Sequence, residues 1–154
     1  MKHLKTFEAS KGITFKEWLK NNPQNINTTT LYVSNQNLID LNGIENFKNL
    51  KWLYCYNNKL TKLPDLSNLS NLETLNCDSN KLTELPDLSN LSNLEKLSCH
   101  DNKLTELPDL SNLNNLKFLD CYDNKLPYNN LSEYLEWHKK NFPWIWDAKK
   151  YNLF

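Results

Sequence analysis

The residues able to do chemistry recur on a fixed period. Cys55, Cys77, Cys99 and Cys121 follow one another every 22 residues. Around the last three stand Asp78, His100, Asp101, Asp120 and Asp123. Carboxylates and an imidazole of this kind can ligate a divalent cation when neighbouring strands bring them within reach of one ion. The spacing of Asp78, His100, Asp101 and Asp123 encodes no closed ligand set, so they read as a solvated acidic face and no metal or cofactor is assigned. Cysteine nucleophiles need an exposed, acidified thiol beside a base. Four cysteines at one repeat position read instead as inward-facing core residues, reduced and not bridged. The chain contains no glycine-rich phosphate loop, paired-acid motif or CxxC. No catalytic residue is expected, and the reading is that the chain is not an enzyme.

A repeated unit must position these side chains. One copy runs LETLNCDSNKLTELPDLSNLSN from Leu72 to Asn93, with leucine at positions 1, 4, 11, 14, 17 and 20, cysteine at 6 and asparagine at 9. Self-similarity at such a period means a solenoid, in which each turn buries its apolar face against its neighbours. Thr74 to Asp78 alternates between outward and inward residues, which predicts a short strand with Leu75 and Cys77 pointing inward. Asn58, Asn80, Asn102 and Asn124 fall where the chain must bend. A buried amide there is expected to satisfy backbone groups of its own turn and the next. The rest of each unit carries leucine at every third residue, with Pro64, Pro86 and Pro108 in successive copies. That pattern suits a 3₁₀ or extended return and opposes an α-helix.

The segments LKWLYCYNNKL (Leu50 to Leu60), LETLNCDSNKL, LEKLSCHDNKL and LKFLDCYDNKL match the LxxLxLxxNxL signature. On these segments the chain resembles the leucine-rich repeat family, in its short 22-residue subclass. That subclass is found in phosphatase-regulating repeat proteins and in bacterial invasion proteins. Cysteine stands at position 6 where the family usually has an aliphatic residue. The unit opening at Thr28 also fits, giving five units with the last incomplete. The resemblance implies an α/β solenoid: a curved stack with a concave parallel β-sheet, 3₁₀ or extended convex returns and short α-helical caps at both ends. The expected organisation is an N-terminal helical cap over 1–27, repeats over 28–130, and a C-terminal helical cap with an aromatic tail over 131–154, all in one structural domain.

The ends carry helix signals of their own. Thr14 with Glu17 forms a capping-box pattern ahead of FKEWLKNN, and Pro23 closes that helix. Asn130 with Glu133 opens LSEYLEWHKKN, in which Leu131, Tyr134, Leu135 and His138 are expected on one buried stripe before Pro143. Trp144, Trp146 and Phe154 of the tail are expected to pack on the last repeat.

Variation among the copies concentrates at the outward positions 3, 5, 7 and 8. Tyr32, Trp52, Tyr54 and Tyr56 fall near one end of the predicted sheet, and Phe118 with Tyr122 near the other. Between and beside them come Asp78, His100, Asp101, Asp120 and Asp123, with Lys96 as the one cation. Exposed aromatic side chains are over-represented where partners bind. These eleven candidates predict a non-catalytic protein–protein interaction surface for a protein or peptide with basic and apolar groups. Eighteen lysines balance eighteen acidic residues and arginine is absent, which argues against nucleic acid as a partner. No apolar stretch has the length of a membrane span or a signal-peptide core, so the expectation is a cytoplasmic monomer with no membrane association. The alternative is a secreted effector or adhesin of a pathogen or virus that recognises a host surface molecule. On a eukaryotic secretory route Asn68-Leu-Ser70 and Asn90-Leu-Ser92 would be glycan acceptors.

Overall fold

Each repeat contributes one short strand, and the strands lie parallel in chain order. β1 (Thr30–Tyr32), β2 (Trp52–Tyr54), β3 (Thr74–Asn76), β4 (Lys96–Ser98) and β5 (Phe118–Asp120) form a single five-stranded sheet in a computed structural model that describes residues 11–143. The expectations for Trp144, Trp146 and Phe154 lie outside the described residues. Register follows the repeat, with Trp52 beside Thr74, Leu53 beside Leu75 and Tyr54 beside Asn76. The central residue of every strand, Leu31, Leu53, Leu75, Leu97 or Leu119, is buried, while its two neighbours face outward. Pleating alone produces that alternation.

The strands are short because the chain turns sharply at position 8 of each unit. Asn35, Asn57, Ser79, Asp101 and Asp123 all have positive φ, between 50° and 60°. Short polar side chains that hydrogen-bond locally tolerate this left-handed conformation best among non-glycine residues. Past the bend, the convex return is held by leucines. Leu66, Leu69 and Leu72 are completely buried, and turn bonds from Leu69 N to Leu66 O and from Leu72 N to Leu69 O, each 2.8 Å, set their three-residue spacing. Asp65, Asp87 and Asp109 open these returns by accepting from the backbone N–H groups of Ser67, Ser89 and Ser111, each at 2.8 Å. A 3₁₀ turn, Ile44–Asn46, occupies the corresponding place in the first unit, after Gly43 at φ 106°.

The bend asparagines tie turn to turn, in one direction. Asn80 Nδ2 donates to the carbonyls of Cys55 (3.1 Å), Cys77 (3.0 Å) and Asp78 (3.0 Å), and its Oδ1 accepts from Leu60 N at 3.0 Å. Asn58, Asn102 and Asn124 repeat this arrangement. The inter-turn partner therefore belongs to the preceding turn, where the sequence suggested the following one. The position-11 amides of Leu38, Leu60, Leu82 and Leu104 all point forward along the stack, so the asparagine that meets each of them must reach back.

Both described ends are covered. The helix α1 (Phe15–Asn21) starts on a complete capping box: Thr14 Oγ1 accepts from Glu17 N at 3.2 Å, and Glu17 Oε2 accepts from Thr14 N at 2.8 Å. It buries Phe15 and Trp18, and the Trp18 indole N–H donates to Gln36 at 2.9 Å. Just before it, Ile13 pairs with the backbone around Leu38. A Cβ on Gly12 would sit 2.2 Å from the Ile39 side chain, so the close approach needs glycine. At the other end, α2 (Leu131–Asn141) begins where Asn130 accepts from Glu133 N at 3.1 Å. Tyr134 and His138 are buried and Leu131 and Trp137 partly so, but Leu135 is exposed, contrary to the expected stripe. Successive helix positions turn by about 100°, so Trp137 falls about 60° to one side of Tyr134 and Leu135 about 100° to the other, and the stripe that packs on the core runs on the Trp137 side.

Candidate functional site

The outward residues of the five strands form two aromatic groups joined by a polar centre. In the first, Tyr32 on β1 stacks on Tyr54 of β2, with ring centroids 4.9 Å apart and planes 7° from parallel. Tyr32 is 70% exposed, so the stack presents a full ring face to solvent. Trp52 opens β2 and shares the outward face of that strand with Tyr54. It is half-buried, and the Lys51 ammonium lies 5.9 Å from its ring. Tyr56, past the strand end, is exposed. The second group lies at the other end. Phe118 is 50% exposed and Tyr122 is 47% exposed. Phe118 stacks on no other described ring, whereas Tyr122 lies flat on His100, at 4.7 Å and 11°.

Asp78 forms the polar centre, and the structure corrects its expected solvation. It is only 7% exposed. Ser98 Oγ donates to both of its oxygens, at 2.7 and 2.9 Å, and His100 N donates to Oδ1 at 3.0 Å. The His100 imidazole Nε2 lies 3.2 Å from Oδ2. Burial pushes the Asp78 carboxyl above the ordinary carboxylate range, and the bonds from Ser98 and His100 oppose that shift without cancelling it. A residue read from sequence as part of a wet acidic face is thus a nearly buried hub. It holds His100, and His100 carries Tyr122.

The same atoms decide the chemistry. In a nucleophilic triad the imidazole stands between hydroxyl and carboxylate, so that it can take the hydroxyl proton. Here the carboxylate stands between them, and Ser98 donates to Asp78. The arrangement orients groups; it does not activate a nucleophile. Among the described residues no three histidine, cysteine, aspartate or glutamate side chains converge as metal ligands. Asp101 and Asp123 occupy the positive-φ bends, which supplies a backbone reason for their residue type. Asp120 is half-buried and accepts weakly from Tyr122 N at 3.5 Å. Asp101, Asp120 and Asp123 thus supply the acidic margin that remains at this end of the sheet.

The cysteines contribute nothing to the surface. All four are free and completely buried. Cys55 and Cys77 thiols donate to the carbonyls of Asn76 and Ser98 on the next strand, each at 3.4 Å, and Cys121 donates to Tyr128 O at 3.7 Å. Burial pushes Cys55 and Cys121 up to about 12, and Cys77 and Cys99 well above the ordinary thiol range. Ser98 is the residue that sequence reasoning overlooked as part of the site. A serine at position 5 lies diagonally across from an aspartate at position 7 of the preceding strand, and that pairing was available from the repeat register.

Comparison with known proteins agrees with this architecture. No curated protein sequence matches the chain. Among solved structures, the functional domain of InlJ from Listeria monocytogenes, which includes a cysteine ladder, shares 43% identity over 64% of this chain and 21% of its own, with a TM-score of 0.60. A leucine-rich repeat protein of Leptospira interrogans shares 37% identity over 68% of this chain and 28% of its own, at 0.62. A Shigella effector leucine-rich repeat domain shares 33% identity over 71% of this chain and 44% of its own, at 0.56. The chain spans less than half the length of each of these structures. The family model for leucine-rich repeats matches twice, over residues 48–90 and 92–134. Taken with the repeat spacing and the parallel sheet, this match places the chain in the leucine-rich repeat family.

Proposed function

We propose that this chain is a non-catalytic binding module that captures a protein or peptide on its concave sheet face. One observation carries the reading: the buried frame is nearly constant from turn to turn, while the outward positions present Tyr32, Tyr56, Phe118 and Tyr122 exposed to solvent. Large ring faces left wet on a rigid, preformed sheet are where truncation usually costs most binding energy. The partner surface that fits has apolar groups for the rings and basic groups for the margin of Asp101, Asp120 and Asp123. Such a fold is typical of protein–protein interaction modules, including bacterial effectors and internalins. The proposed setting is a cytoplasmic monomer.

The test is comparative affinity purification from the native organism, using the wild-type chain and a variant with Tyr32, Tyr56, Phe118 and Tyr122 all changed to serine. Loss of the wild-type partner set supports the concave face. Unchanged partners would overturn it. A second reading, a secreted effector that acts on a host molecule, is favoured by the likeness to the Shigella effector domain. Finding the chain in the culture medium, and recovering partners only from host lysate, would support that reading over the first.

A further inference from the structure

The polar centre of the sheet face carries two costs that the scaffold does not require. Asp78 is a carboxylate only 7% exposed, and the Nδ1 atom of His100 is buried with no hydrogen-bond partner among the described residues. Buried polar groups of this kind lower stability, and proteins keep them where function uses them. The bends do not account for them, because Asn80 and Asn102 already serve the backbone of these turns. Stacking alone does not require them either, since Tyr32 lies directly on Tyr54.

Together these two groups fix one ring. Ser98 Oγ donates to both oxygens of Asp78, His100 N donates to Oδ1 at 3.0 Å, and His100 Nε2 lies 3.2 Å from Oδ2. One carboxylate thus holds His100 at two points, by its backbone and by the edge of its ring. Tyr122 lies flat on that ring, at 4.7 Å and 11°, and is itself 47% exposed. The contacts therefore run from a carboxylate nearly out of a partner's reach to a ring that a partner can cover. Only a carboxylate can accept at both points. An amide at this position that keeps Oδ1 on His100 N turns its NH2 group toward Nε2, and a flipped amide turns it toward the His100 backbone N–H. An imidazole that moved its proton to Nδ1 could accept from the amide, but it would then bury an unpaired N–H.

We infer, resting on the sheet-face reading, that Asp78 is a positioning residue of that surface: it sets partner affinity without partner contact, by locking His100 against Tyr122. Rings fixed before binding lose less freedom on binding. Asp78→Asn should release the His100–Tyr122 stack and weaken binding about 2- to 10-fold, while stability in urea stays equal or rises. Two measurements on the full chain test this. NMR of the free chain should show Overhauser contacts between the His100 and Tyr122 ring protons in wild type, and their loss in Asp78→Asn. The binding probe is a short peptide selected by phage display on the wild-type chain and weakened by Tyr122→Ser. In the His100→Phe background, where a ring supports Tyr122 without Asp78, Asp78→Asn should leave the peptide's affinity unchanged. Ring contacts that survive Asp78→Asn, undiminished affinity in that variant, or an affinity loss that persists in His100→Phe would overturn the proposal and leave the sheet-face reading standing. A parallel loss of stability would overturn it as well, by marking Asp78 as structural only. So would peptides that bind the sheet face yet ignore Tyr122→Ser. If no peptide is selected, or if all bind equally well once Tyr32, Tyr56, Phe118 and Tyr122 are changed to serine, both readings fail.

Discussion

Changing Asn80 to alanine removes one side chain that serves two turns at once. Its Nδ2 reaches the carbonyls of Cys55, Cys77 and Asp78, and its Oδ1 takes the amide of Leu60. The four losses are not equal. Cys55 O keeps its bond from Asn58, Cys77 O keeps its bond from Asn102, and Asp78 O keeps the one from Asn57 N. Only the Leu60 amide is stripped of its acceptor, behind a completely buried leucine. Orphaning that N–H costs about 1–3 kcal/mol, and the two amide protons shared among three carbonyls add about 0.5–1.5 kcal/mol each. The expected loss is about 2–6 kcal/mol, a large part of the ~5–15 kcal/mol that domains possess. Urea unfolding at 25 °C measures it, as a lower midpoint with an unchanged slope. A loss below about 1 kcal/mol would refute the reasoning, because water would then be replacing the amide at the bend.

Other outcomes follow from the same contacts. Burial raises the Asp78 pKa above 3.8, so the penalty for its charge is absent below the unfolded value and grows as pH rises through the folded one. Asp78→Asn, which can still accept from His100 N and can donate to Ser98, should therefore equal or exceed wild type in stability at pH 7, and lose that advantage near pH 3. A clear loss at pH 7 in urea unfolding would contradict this. The four thiols should react with Ellman's reagent only as fast as the chain opens, since all are buried and protonated; a rapid burst from any of them would show an accessible cysteine. Leu75→Ala should cost about 2–5 kcal/mol as a fully buried core truncation. Tyr32→Ala, at a largely exposed ring, should cost under about 1 kcal/mol by the same measurement. Comparable losses would contradict the division between scaffold and surface.

The scaffold was legible because it is periodic. Leucine and cysteine at fixed offsets predict strand, bend and return, and the five strands stand in that register. The helix caps at Thr14 and Asn130 were legible as well, since they depend on residues three apart. Three features depended on geometry that a repeat does not encode. The register pairs Ser98 with Asp78, but the repeat does not show that Ser98 and His100 together close over this outward carboxylate and bury it. Asp101 and Asp123 are the surface charges the sequence suggests, but that their residue type also serves a positive-φ bend is visible only in the backbone. Leu135 lies beside Tyr134 in the chain, but the helix packs on the core by the side of Tyr134 that carries Trp137.

Binding on the sheet face is tested most directly by hydroxyl-radical footprinting of the wild-type chain, alone and with the partner it recovers. Oxidation reads side-chain exposure, and Tyr32, Tyr56, Phe118 and Tyr122 are exposed in the free chain. A partner seated there should protect all four in the complex, while exposed residues of the returns, such as Lys62 and Glu84, react as before. Protection confined to the returns, with those rings still fully reactive, would contradict it.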